Sequence, residues 1–99
     1  MNTSSQTVFF PVEDAFEIAG RGVVLVTAAD LSLLRFGVEY PIEFTAADGR
    51  AVSGVGTREL LLGGNPKVEK SVVLARSQRK SDFAPSTIVS VLVPLGAGV

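Results

Sequence analysis

The stretch Phe9-Phe10-Pro11-Val12-Glu13-Asp14-Ala15-Phe16-Glu17-Ile18-Ala19-Gly20-Arg21-Gly22-Val23-Val24 constrains the fold more than any other part of the chain. It holds two runs of β-forming residues joined by the tight corner Gly20-Arg21-Gly22. The first run alternates, with Val12, Ala15/Phe16 and Ile18 apolar and Glu13, Asp14 and Glu17 between them. The second, Val23-Val24-Leu25-Val26, is continuously apolar and mostly β-branched, the pattern of a strand buried on both faces. Glycine adopts positive φ without steric cost and admits a close backbone neighbour, so the connection is predicted to be short. A strand, a corner and a buried strand predict the opening of a small closed or nearly closed β-structure.

The remaining sequence continues this reading. Strands are expected at 8–11 running on through 12–18, and at 23–27. Segment 28–37 stays undecided: Leu31 and Leu34 are spaced as on one helical turn, but the segment is short. Residues 38–44 alternate as a half-buried strand, and Pro41 argues for an edge or a bulge there. Asp48-Gly49 between two strand-like runs signals a hairpin into a partner strand at 51–57. The short apolar run Arg58-Glu59-Leu60-Leu61-Leu62 is stopped by Gly63-Gly64-Asn65-Pro66. Two last strands are expected at 68–75 and 87–93, separated by a polar loop at 76–82. Regularly spaced turn signals predict one all-β domain, a sandwich or barrel, over 8–94, with a flexible polar tail at 1–7 and a second tail at 95–99.

Composition narrows the function. Of 99 residues, 46% are apolar and the formal net charge is −1, so any nucleic-acid surface must be a local patch. The chain has no Cys and no His, which excludes disulfides, thiolate catalysis, the usual zinc ligand sets and imidazole acid–base chemistry. No catalytic constellation and no cofactor are expected. Ser53, Ser71 and Ser90 have no His to activate them, and Gly54-Val55-Gly56 and Gly63-Gly64 lack the strand-to-helix context of a nucleotide site. The polar start lacks a signal-peptide pattern, and absence of Cys fits a cytoplasmic location. The apolar segment 88–99 is about half a membrane span and is broken by Pro94 and Gly96, so it is expected as a strand and not as a membrane anchor.

Residues Pro11 to Gly22 carry the pattern P-[IV]-E-D-x-F-x-I-x-G-R-G, which resembles the opening of the second domain of elongation factor Tu and related translational GTPases. Further along, Leu33-Leu34-Arg35-Phe36-Gly37 with Tyr40 and Ile42 resembles that family's I-x-x-G-x-x-V-x-I strand, and Ser53-Gly54-Val55 its T-G-V/I. Residues 72–76 resemble the strand ending in L-L-R-G, and Phe83 with Ile88-Val89 the closing I-x-R-G-x-V-L. The likeness spans nearly the whole chain, and no G-x-x-x-x-G-K-[ST] phosphate loop accompanies it. It implies a free-standing, diverged barrel of the translation-factor domain-2 type. Where the family has the Thr-Gly ending its second strand, this chain has Val26-Thr27, and family glycines fall on Ser32, Ser77 and Ser86, so those turns are expected to be rebuilt or relaxed.

The resemblance also implies sites. Glu13, Asp14 and Phe16 match positions that help hold the aminoacylated 3′ end of tRNA, whereas Gly56, Glu59 and Lys70 depart from the rest of that pocket. The Gly20-Arg21-Gly22 corner, which in the family approaches ribosomal RNA, is intact.

Each candidate also has a plainer reading. Adjacent strand carboxylates point to opposite faces, so Glu13 and Asp14 are expected to be solvated and not paired on one substrate atom. Phe16 offers a base-stacking face, but a Phe on an alternating strand is expected in the core. Arg21 is either a phosphate contact or an exposed corner residue without a partner. Arg76, Arg79 and Lys80 form the one basic cluster, with Lys67 and Lys70 expected on the same side and Asp82 partly neutralising it. The leading expectation is a non-enzymatic binding module that contacts RNA, a ribosome or a translation-related protein. The alternative is a protein-interaction or self-assembling homo-oligomeric module, its interface at 38–44, at Leu31-Leu33-Leu34 or at Leu60-Leu61-Leu62. RNA binding requires Arg21 and the 76–80 cluster on one surface.

Overall fold

The computed structural model describes residues 4–60, 70–76 and 78–95. Expectations placed on Leu61-Leu62, Gly63-Gly64-Asn65-Pro66, Lys67, Ser77 and the end of the chain lie outside the described residues. Seven strands are present: β1 (Ser4–Pro11), β2 (Asp14–Ile18), β3 (Gly22–Thr27), β4 (Glu39–Thr45), β5 (Ala51–Glu59), β6 (Ser71–Arg76) and β7 (Ile88–Leu95), with one 3-10 turn at Lys80–Asp82. They form a single antiparallel sheet in the order β1-β7-β4-β5-β6-β3-β2. Hairpins join β2 to β3 and β4 to β5, and the β3–β4 and β6–β7 connections cross over intervening strands.

The all-β class is as expected, but the ladder is not closed. The two edge strands, β1 and β2, are consecutive in the chain and change partner between them. Val12 N donates to Thr87 O at 2.8 Å, on the β7 side, while Glu13 N donates to Val26 O at 2.8 Å, on the β3 side. Phe10 of β1 and Ala15 of β2 nevertheless share one core with Leu25, Ile42, Val73, Val89 and Val91, so the sheet curls around a single apolar interior. The expected tail at 1–7 is corrected as well. β1 begins at Ser4, because its polar residues pair with β7 from Ser4↔Leu95 onward.

Two strand assignments change places. β3 is buried on one face, with Val23, Leu25 and Thr27 inside and Val24 and Val26 half-buried. The strand covered on both faces is β6, where Val72, Val73, Leu74 and Ala75 are all buried. β4 shows the clean alternation that was expected, yet it lies inside the sheet and not at an edge. Its ladder to β7 is limited to Ile42↔Val91 and Glu43↔Ser90 and stops at Pro41, where a backbone donor is missing.

The crossover at 28–38 closes one end of the core without forming a helix. Leu31 and Leu34 are buried and joined by Leu34 N to Leu31 O at 2.9 Å. Arg58 Nη1 donates to the carbonyls of Leu31 (3.0 Å) and Leu34 (3.2 Å), and its guanidinium lies 4.2 Å from the Phe36 ring centroid. Arg35 N donates to Tyr40 Oη at 2.8 Å. Of the apolar groups expected at an interface, Leu31, Leu34, Tyr40, Ile42 and Phe44 are buried, whereas Leu33, Val38 and Leu60 are exposed. Elsewhere in the core Phe83 stacks on Phe44, with centroids 4.4 Å apart.

Candidate functional site

The β2–β3 corner is built by two glycines with different duties. Arg21 N donates to Ile18 O at 3.0 Å, closing a turn in which Gly20 takes φ 77°. Gly22 has φ 131°, and a Cβ there would stand 2.2 Å from Ala75 O of β6. Gly22 therefore lets β3 cross close to β6, while Gly20 lets the chain reverse.

Facing this corner is the segment after β6. Lys80 N donates to Glu17 Oε1 at 2.7 Å, which pins the 3-10 turn to β2. Asp82 Oδ2 accepts from Arg79 N at 3.1 Å and closes the turn on itself. Between corner and turn lies an open cleft of about 300 Å³ lined by Glu17, Gly20, Arg21, Gly22, Gln78 and Arg79 among others. Arg21 and Arg79 thus meet on one surface although 58 positions separate them (79 − 21). Neither they nor Lys80 form an ion pair among the described residues. The Glu17 carboxylate in the wall offsets part of this positive charge.

The other expected members do not gather there. Arg76 pairs with Glu39 at 2.8 Å on the outer sheet face, where both are exposed. Lys70 is ion-paired with Glu13 at the opposite end of β3, by Thr27↔Ser71, so it does not join Arg79 and Lys80. Glu13 is exposed to solvent, as expected, and in addition acts as a clasp. It accepts from Lys70 Nζ and, at 2.6 Å, from Ala28 N, tying the start of β2 to the end of β3 and the start of β6. The Lys70 ammonium first, and the Ala28 amide second, hold its carboxyl below the ordinary 4.5. Asp14 Oδ1 accepts from the neighbouring Ala15 N at 2.8 Å. Phe16, expected in the core, is 52% exposed, because Ala15 is the β2 residue that faces inward. The Glu13-Asp14-Phe16 set therefore lies along β2, apart from the Arg21–Arg79 cleft.

Two cleft residues escaped the sequence reading. Gln78 reaches over β5, its Nε2 lying 2.7 Å from where a Gly54 Cβ would sit, and it lines both this cleft and the depression beside Arg76. Glu17 reads in sequence only as the polar step of an alternating strand; its bond to Lys80 N, 63 positions away, carries no local signal. Among the described residues no group of three or more acidic side chains is placed to hold a metal ion, and no helix is long and apolar enough to cross a membrane. No protein-family model, curated protein or solved structure matches the chain. Its class is that of a small antiparallel all-β domain with an open, basic-rimmed cleft at one corner.

Proposed function

We propose that the protein is a non-enzymatic, cytoplasmic binding module that contacts RNA, as free RNA or in a ribosome, through the Gly20-Arg21-Gly22 corner. The likeness of residues 11–22 to the barrel domain of elongation factor Tu supports this reading, and that likeness rests on the quoted residues alone. The observation that carries it is the convergence of Arg21 and Arg79 on one open cleft with Lys80 on the adjoining turn. Two guanidinium groups that form no ion pair among the described residues, with exposed backbone between them, suit phosphate oxygens, which accept bidentate hydrogen bonds. Asp14 and Phe16 lie on the same strand as the cleft's Glu17 wall and Glu13 directly precedes it, with Phe16 free to stack on a base.

The test is binding of the purified chain to ribosomes and to bulk RNA at two salt concentrations. With two phosphate contacts, affinity should fall about tenfold for each fourfold rise in salt. Arg21→Ala and Arg79→Ala should each weaken binding and lower the salt slope, whereas Arg76→Ala should not. Absence of binding at low salt would refute the proposal. A protein-interaction or self-assembling module with no nucleic-acid role is the second reading, favoured by the exposed apolar residues Phe9, Ile88 and Leu92.

A further inference from the structure

The sheet ends on two unlike edges. β2 carries Asp14 and Glu17 among its five residues, and the 3-10 turn is bonded to it through Lys80 N. β1 carries no charged residue from Ser4 to Pro11. Its one ladder is with β7, and among the described residues no other segment hydrogen-bonds its backbone over 4–10. Alternate N–H and C=O groups of an edge strand point away from its ladder, so β1 presents an unpaired row.

The sheet face beside this edge is apolar. Phe9 stands opposite Ser90, which makes Ile88 and Leu92 its diagonal neighbours on the outer face. The three side chains are 64%, 52% and 46% exposed. Natural edges are blunted by charge, proline, a bulge or a cover, and β1 has only a proline at its last position.

We propose that β1 is a self-association edge. Two copies of the chain pair antiparallel along β1 about a two-fold axis and join their sheets into one. The inference deepens the self-assembling reading and is independent of RNA binding.

Charge selects a second copy as the occupant. Self-pairing sets the same uncharged strand on both sides, so no charge is buried and no like charges oppose. Head-to-tail growth would instead set β1 against the β2 edge of the next copy, where Asp14, Glu17 and the bonded turn stand, so association closes at two. Opposite residues of an antiparallel pair share a face. Keeping the outer faces continuous therefore places Thr7 or Val8 on the axis, with 4–10 or 5–11 of each copy in the ladder. Phe9 then lies across from Ser5 or Thr7 of the second copy and is covered by the added strand.

Sedimentation velocity of the full chain over a wide concentration range tests this, with Thr7→Lys, Phe9→Lys and, on the opposite edge, Phe16→Lys. All three positions are exposed, and circular dichroism verifies that each variant folds. The expected result is a monomer–dimer equilibrium weakened about tenfold or more by either β1 lysine and unmoved by Phe16→Lys. Amide exchange should slow with concentration in β1 alone. A 10.4 kDa monomer at every concentration would overturn the proposal. So would a dimer indifferent to both β1 lysines, protection appearing on another strand, or growth beyond two copies.

Discussion

Ser86 takes φ 67°, the one positive value on a non-glycine residue among the described positions. At this position, where a glycine was absent from the expected pattern, the serine itself occupies the left-handed region. Ser86→Gly should therefore raise stability by about 0.5–1 kcal/mol, seen as a Tm increase of a few degrees in thermal unfolding. At the β2–β3 corner the sign reverses. Gly22→Ala drives a methyl group into Ala75 O and should cost more than about 2 kcal/mol, whereas Gly20→Ala meets open space and should cost about 1 kcal/mol from its φ alone. Urea denaturation of the pair separates close approach from backbone strain. Glu13 contributes to the pH dependence, together with Asp30, held low by the Ser32 amide, and Asp48, held low by Arg50. Because the folded pKa of Glu13 is lowered, its stabilisation is complete above about pH 4.5 and is lost as pH falls through the lowered folded value. Glu13→Gln should flatten the acid limb of the stability curve, measured by circular dichroism. The glycine pair was legible in sequence because special backbone needs leave special residues. The exposure of Phe16 was not, since alternation cannot say which of two adjacent apolar residues, Ala15 or Phe16, faces inward.

At the level of elements, the hairpins and the alternation of β4 could be read directly, as turn chemistry and side-chain period are local. The 28–38 crossover could not. Its single turn is held by Arg58, which lies 27 and 24 positions beyond the carbonyls it serves. Arg58→Ala should cost about 1–3 kcal/mol by leaving those part-buried acceptors without their donor. Amide exchange should then accelerate at 31–37 while β4 and β6 keep their protection, distinguishing a loosened cap from global unfolding. The exchange of roles between β3 and β6 has a similar cause. A continuous apolar run marks a strand as able to be covered twice, and only the tertiary arrangement decides that Val72 and Leu74 are covered fully while Val24 and Val26 are covered in part.

For the whole molecule, the fold class was legible and the strand order was not, because no local rule pairs β1 with β7 or sends Val12 and Glu13 to different partners. The cleft has the same standing. Arg21 and Arg79 were named from sequence and Glu17 and Gln78 were not, and only the curled sheet decides that Arg79 joins Arg21 while Arg76 turns to Glu39. The β1–β7 pairing also orders events during synthesis. Ser4 lies opposite Leu95, 91 positions later (95 − 4), so the first described strand to leave the ribosome waits for the last before it finds its place. Pairings this remote are made slowly, in roughly milliseconds to seconds for domains of this class. Throughout elongation β1 is an uncharged, aromatic-bearing ribbon with no native partner, the kind of segment that chaperones shield and that aggregates when they do not. A chain stopped before residue 88 never acquires that partner, and the quality-control machinery of the cell would meet it as a misfolding substrate.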